Sequence, residues 1–149
     1  MGDTATLRAE RTRRDSLLIL YVEDSDDDVL LVLHELRQAG FAVEYERVAT
    51  EAQLRAALPA RPWDVILSDY SMPNFDGIAA YRIVKELNYD IPFLFVSGRI
   101  GEEKAAEIMR QGAKDYVAKD NLKRLVPALQ RELTESAERR TRKIGRAHV

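Results

Sequence analysis

Residues 17–28 read LLILYVEDSDDD, six apolar or aromatic residues in a row followed by five acids broken only by Ser25. A run without polar alternation is what a strand in a parallel sheet shows when helices cover both of its faces. The abrupt change to carboxylates puts charge at that strand's carboxyl end, where open parallel sheets gather their ligands. Charge left there without a partner costs free energy. The stretch therefore argues for a fold and for a use at the same time.

The same rhythm repeats along the rest of the chain. Strand-like runs fall at 43–48, 65–68, 92–96 and 116–118, and helical patterns lie between them. Val29, Val32, Leu33 and Leu36 form one face of a helix that Gly40 stops. A short helix over 52–58 ends before Pro59 and Pro62. Ile78, Tyr81, Val84 and Leu87 line up on a third helix, and a fourth over 102–110 closes at Gly112. Leu122, Leu125, Val126, Leu129 and Leu133 give the last helix a core face. Five β-α units imply a parallel sheet with helices on both faces, joined by right-handed crossovers.

At 149 residues and 46% hydrophobic content, the chain has enough material for one core and one globular unit. Its 23 basic and 25 acidic residues leave a formal charge of −2, which gives no argument for direct nucleic-acid binding or for an acidic membrane surface. The absence of cysteine excludes disulfides, thiolate metal sites and a Cys nucleophile, and fits a reducing compartment. No apolar stretch approaches the roughly 20 residues that span a bilayer. The first sixteen residues carry charge and no apolar core of a secretory signal, so a cytoplasmic location is expected. We divide the chain into a flexible segment at 1–15, a globular domain at 16–134 and a polar helical linker or tail at 135–149. The closing IGRAHV matches one reading frame of a common sequencing adapter and has the look of a non-native end.

The residues just after each apolar run are Glu23 and Asp24, Asp69, Ser97 and Lys119, while the second strand contributes no such group. Three carboxylates facing one ammonium on a single rim repel one another, and a divalent cation is their natural counter-charge. Hard oxygen ligands without Cys or a nearby His point to Mg2+. Ser25 or Asp26 is placed to cap the following helix, but capping does not account for Asp69 and Lys119 on other strands. His34, beside Glu35 on the first helix, is expected at the surface.

Four segments in order, LLILYVEDSDDD, DVILSDYSMPNFDG, FLFVSGR and GAKDYVAKDNL, make residues 16–134 resemble a response-regulator receiver domain, the phospho-accepting module of two-component signalling. The resemblance implies a flavodoxin-like (βα)5 doubly wound α/β fold with strand order 2-1-3-4-5. It implies that Asp69 takes a phosphoryl group from a sensor histidine kinase or histidine phosphotransfer protein. Asp24 and Asp69 would ligate Mg2+ with the backbone carbonyl of Ser71, and Glu23 would act largely through water. Lys119 would pair with Asp69 and then with a phosphoryl oxygen, Ser97 would meet the phosphoryl group, and Tyr116 would be the aromatic switch. The surface of helix four, strand five and helix five, around Glu103, Lys104, Glu107, Tyr116 and Lys123, would report the state to an output domain or protein. That surface or the C-terminal helix would also serve a homodimer. The domain would be regulatory, self-catalysing phosphoryl transfer and loss, and not an enzyme.

The chain departs from the family in one place. Many members follow the lysine with a proline in a cis bond, whereas Asp120 follows Lys119. A non-proline cis bond costs about 3 kcal/mol, so a trans bond or an altered loop is expected. Pro73 and Gly77 are expected to shape the loop after Asp69, Gly through its permissive backbone angles. By the same resemblance, Ser71, Gly98 and Arg99 stand at the positions that tune phosphoryl lifetime in the family. Two alternatives stand beside this reading. A Mg2+-dependent phosphatase or phosphotransferase with an Asp nucleophile usually carries a second Asp two residues on, where this chain has Ser71. A pseudo-receiver that never carries phosphate would lack the acceptor or its acidic partners.

Overall fold

The computed structural model describes residues 16–72, 75–98, 101–113 and 116–147. The expectations for residues 1–15, Pro73, Arg99 and the chain's last residues lie outside them. The described residues form strands β1 (Leu17–Val22), β2 (Val43–Val48), β3 (Val65–Ser68), β4 (Phe93–Ser97) and β5 (Tyr116–Ala118). These alternate with helices α1 (Asp26–Gln38), α2 (Glu51–Ala57), α3 (Gly77–Glu86), α4 (Glu102–Arg110) and α5 (Leu125–Ala147), the last entered through a 3-10 turn at Leu122–Arg124. Every pairing is parallel, in the expected order β2-β1-β3-β4-β5.

Strand alternation divides the apolar residues into two cores. Leu18, Leu20 and Val22 of β1 join Ile66, Phe93 and Phe95 beneath α2, α3 and α4. Leu17, Ile19 and Tyr21 join Val65, Leu67, Leu94, Val96 and Val117 against α1 and α5. All six residues of β1 are buried, which is why its sequence shows no polar alternation. The edge strand β2 exposes Glu44, Tyr45 and Glu46, and charge on an edge discourages pairing with other chains.

Local chemistry sets the helix ends. The Ser25 hydroxyl accepts the Asp28 N–H (3.3 Å), so α1 begins three residues before Val29. Thr50 and Asp76 cap α2 and α3 in the same way. Gly40 (φ 99°) and Gly112 (φ 95°) follow the ends of α1 and α4 in the left-handed region, where glycine carries no Cβ penalty. Gly77 has a different reason from the one expected. Its φ is not positive, but a Cβ there would collide with the Asp69 carbonyl oxygen and come within 2.8 Å of the Phe95 ring. Close approach, not backbone freedom, requires glycine at that position.

Helix α5 crosses residue 134 without interruption. Beyond it Ser136 is buried and accepts a hydrogen bond from Arg140 (2.9 Å), while Arg139 pairs with Asp90 at 3.0 Å. Among the described residues no peptide bond is cis, which includes Lys119–Asp120, and no helix is long and apolar enough to cross a membrane.

Candidate functional site

The strand order places the end of β3 between the ends of β1 and β4, with β5 next to β4. The ladder continues just past the strands: the Asp69 N–H donates to Val22 O (2.9 Å), and the Lys119 N–H donates to Ser97 O (2.6 Å). Residues that follow apolar runs separated by dozens of positions are thereby brought to one rim.

Asp69 is the hub and is mostly buried. Its Oδ1 accepts hydrogen bonds from the Ser97 hydroxyl (2.6 Å) and the Tyr70 N–H (2.8 Å). Its Oδ2 lies 3.7 Å from Lys119 Nζ. Glu23, Asp24 and Asp69 each bring a carboxylate oxygen within 4.8 Å of the others. The five rim residues read from sequence therefore do come together. Glu23 is buried, and burial, reinforced by the charge of Asp69 and opposed by Lys119, pushes its carboxyl up to about 7. Lys119 loses hydration to burial, but hydrogen bonds to Asp28 and Glu23 outweigh that and raise its ammonium above the usual range.

Those partners modify one expectation. Lys119 stands closer to Glu23 Oε2 (2.8 Å) and Asp28 Oδ2 (2.7 Å) than to Asp69. The physical reason is that a buried Glu23 demands a counter-charge more strongly than Asp69, which already has two neutral donors. Glu23 Oε1 is engaged as well, by the N–H groups of Asp24 (3.0 Å) and Ser25 (3.2 Å).

Two participants escaped the sequence reading. Asp28, in the first turn of α1, is one. The other is Arg47 of β2, which donates to the Glu23 carbonyl (3.0 Å) and pairs with Asp26 (2.6 Å), so the second strand does contribute to the acidic loop. The available signal was position: Asp28 is three residues past the capping Ser25, and Arg47 is one residue from the end of the strand that flanks β1.

Ser71, two residues after Asp69, is exposed, and its hydroxyl receives Lys104 of α4 at 3.5 Å. Lys104 Nζ also lies 5.7 Å from the centre of the Tyr70 ring. Tyr116 is half-buried against the core under α3 and α4. His34 is exposed, as expected.

A sequence profile of the response regulator receiver domain matches residues 19–130. The chain is 34% identical over 101 residues to the C4-dicarboxylate transport transcriptional regulatory protein DctD of Rhizobium meliloti (strain 1021), covering 67% of this chain and 22% of that protein. It is 35% identical over 99 residues to the transcriptional regulatory protein PrrA of Mycobacterium tuberculosis, covering 66% of this chain and 42% of that protein. The match thus spans less than half the length of either relative. Among solved structures, the signal receiver domain of a signal transduction histidine kinase from Syntrophus aciditrophicus superposes with a TM-score of 0.66 at 26% identity, covering 79% of this chain and 90% of that one.

Proposed function

The chain belongs to the family of response regulator receiver domains, and from that premise we propose that it is a phosphorylation-dependent switch whose Asp69 accepts a phosphoryl group from a histidine kinase or histidine phosphotransfer protein. One observation carries the reading: Asp69 is held on one oxygen by Ser97 and Tyr70 while two further carboxylates and an ammonium converge around it. A carboxylate oxygen of Asp69 attacks the phosphorus of a phosphohistidine. The new P–O bond forms as the P–N bond breaks, and the imidazole, protonated on its other nitrogen, leaves neutral with the electron pair. Such transfer needs positioning and charge neutralisation more than covalent help.

The donor set fits Mg2+. It is all hard oxygen, it carries excess negative charge, and its oxygens lie close enough for one ion. Asp24 and Asp69, with the Ser71 carbonyl, would hold the ion. Glu23 would act through water, since Lys119 and two backbone N–H groups already engage its oxygens. When bound, the ion supplies positive charge for the transferring phosphoryl oxygens. Lys119 supplies a second positive charge, and the Ser97 hydroxyl turns from Asp69 to a phosphoryl oxygen once the group arrives.

The added charge is the signal. Tyr116 follows Ser97, and the α4, β5 and α5 surface around Glu103, Lys104, Glu107 and Lys123 carries the change to an output domain or partner protein in the cytoplasm, or to a second copy of the chain. The segment itself relays by protein contact and makes no direct nucleic-acid contact. The relatives named as transcriptional regulators are much longer.

The test is intact mass after incubation with acetyl phosphate and Mg2+. The wild-type chain gains the mass of one phosphoryl group, and Asp69→Ala gains none. An adduct that survives in Asp69→Ala, or no adduct on the wild type, overturns the reading.

A further inference from the structure

We propose, resting on the phospho-acceptor reading above, that Asp28 is a positioning residue that parks Lys119 away from Asp69 and so slows uptake of the phosphoryl group. Lys119 Nζ is 2.7 Å from Asp28 Oδ2 and 2.8 Å from Glu23 Oε2, but 3.7 Å from Asp69 Oδ2. The lysine's two short, charge-assisted hydrogen bonds are therefore made to other carboxylates and not to the acceptor.

Of the two parking carboxylates, Asp28 is the one built to let go. The Glu23 side chain is 1% exposed and has no other cation within salt-bridge distance among the described residues, so it holds its lysine. The Asp28 side chain is 37% exposed. It lies in the first turn of α1, where water and the helix N-terminus stabilise a lone carboxylate. Asp28 is also outside the group of carboxylates that converge on the candidate metal position. Its contact with Lys119 can thus change without dismantling that group.

The consequence is kinetic. With acetyl phosphate, an Asp69 oxygen forms a bond to phosphorus while the P–O bond to the acetyl group breaks and acetate leaves with the electron pair. Negative charge on the phosphoryl oxygens draws Lys119 toward Asp69, and that movement gives up the Asp28 contact before the transition state. Whatever that contact contributes at rest is added to the barrier.

The experiment compares Asp28→Asn with Asp27→Asn, an equal charge change at an exposed neighbour on the same helical turn. At saturating acetyl phosphate and Mg2+, Asp28→Asn should form the acyl phosphate about three- to tenfold faster than wild type. Its half-saturating Mg2+ concentration should stay unchanged, and Asp27→Asn should show no acceleration. In Mg2+-free protein, 15N NMR should show the Lys119 ammonium protons exchanging with water faster in Asp28→Asn than in wild type, a change that a purely structural role would not produce. If Asp28→Asn does not fold, Asp28→Ser makes the same comparison. Uptake equal to or slower than wild type, equal acceleration by Asp27→Asn, or unchanged Lys119 exchange overturns the inference. Absence of an adduct on the wild type is a different result and removes the phospho-acceptor reading beneath it.

Discussion

At the scale of single residues, Glu23 holds the clearest electrostatic tension, because burial raises its carboxyl from an ordinary 4.5 to about 7. Between those values the folded protein holds a proton that the unfolded chain has released. Stability from this group is therefore present below about pH 4.5 and is lost as pH rises through about 7. In the Mg2+-free protein, we expect Glu23→Gln to remove that slope and to stabilise the fold at pH 8 by on the order of 1–3 kcal/mol, read from urea unfolding at pH 5 and pH 8. An unchanged slope in Glu23→Gln would show that the proton is held elsewhere. Asp69, Ser97 and Lys119 were legible one by one because each directly follows an apolar run. Asp28 and Arg47 were not. Their contacts join residues 91 and 24 positions apart, and they depend on side-chain reach, which periodicity does not encode.

At the scale of elements, the junction of β3 and α3 is where sequence and site meet most tightly. Gly77 donates its N–H to the Tyr70 carbonyl (2.9 Å), and its α-carbon faces the Asp69 carbonyl and the Phe95 ring. Gly77→Ala should push the acceptor loop outward, destabilising the fold by about 1–3 kcal/mol and slowing acyl phosphate formation beyond what the lost stability explains. Thermal unfolding together with the acetyl phosphate rate checks both, and an unperturbed rate would mean that the loop yields without moving Asp69. The bounds of β1, β3 and β5 were readable because continuous apolar runs end at a charged or small residue, and those of β2 because Val43 and Val48 bracket its polar middle. One end was not. The strand β4 begins at Phe93 although the Pro92 carbonyl still accepts the Ile66 N–H (2.8 Å). The start of helix α1 inside the acidic run was readable from its cap alone: of the two candidates, Ser25 is the one that caps it, whereas the apolar face gives no sign of a start before Val29.

At the scale of the whole molecule, the one alternation of strands and helices, visible in sequence, fixes which groups share a rim. What the sequence left open is how the chain's last stretch relates to the domain. The residues after Thr134 are polar, yet Ser136 is buried and Arg139 reaches Asp90 across 49 positions, so α5 remains tied to the sheet's opposite end. A chain ending at Thr134 should lose roughly 1 kcal/mol from that partly exposed pair, about 2–4 °C in Tm, while accepting phosphoryl groups at an unchanged rate. A larger loss of rate than of stability would mean that the extension feeds back on the site. Everything proposed for the site depends on one acidic rim, built from four strand ends, trapping a dication beside the Asp69 carboxylate. The most direct measurement of it is a crystal structure with Mg2+ and beryllium trifluoride, a phosphoryl mimic. It should show one Mg2+ between Asp24 and Asp69, the fluoroberyllate on an Asp69 oxygen, and Lys119 turned from Asp28 to a fluorine. A dication or fluoroberyllate bound elsewhere, with Asp69 bare, would contradict the proposal.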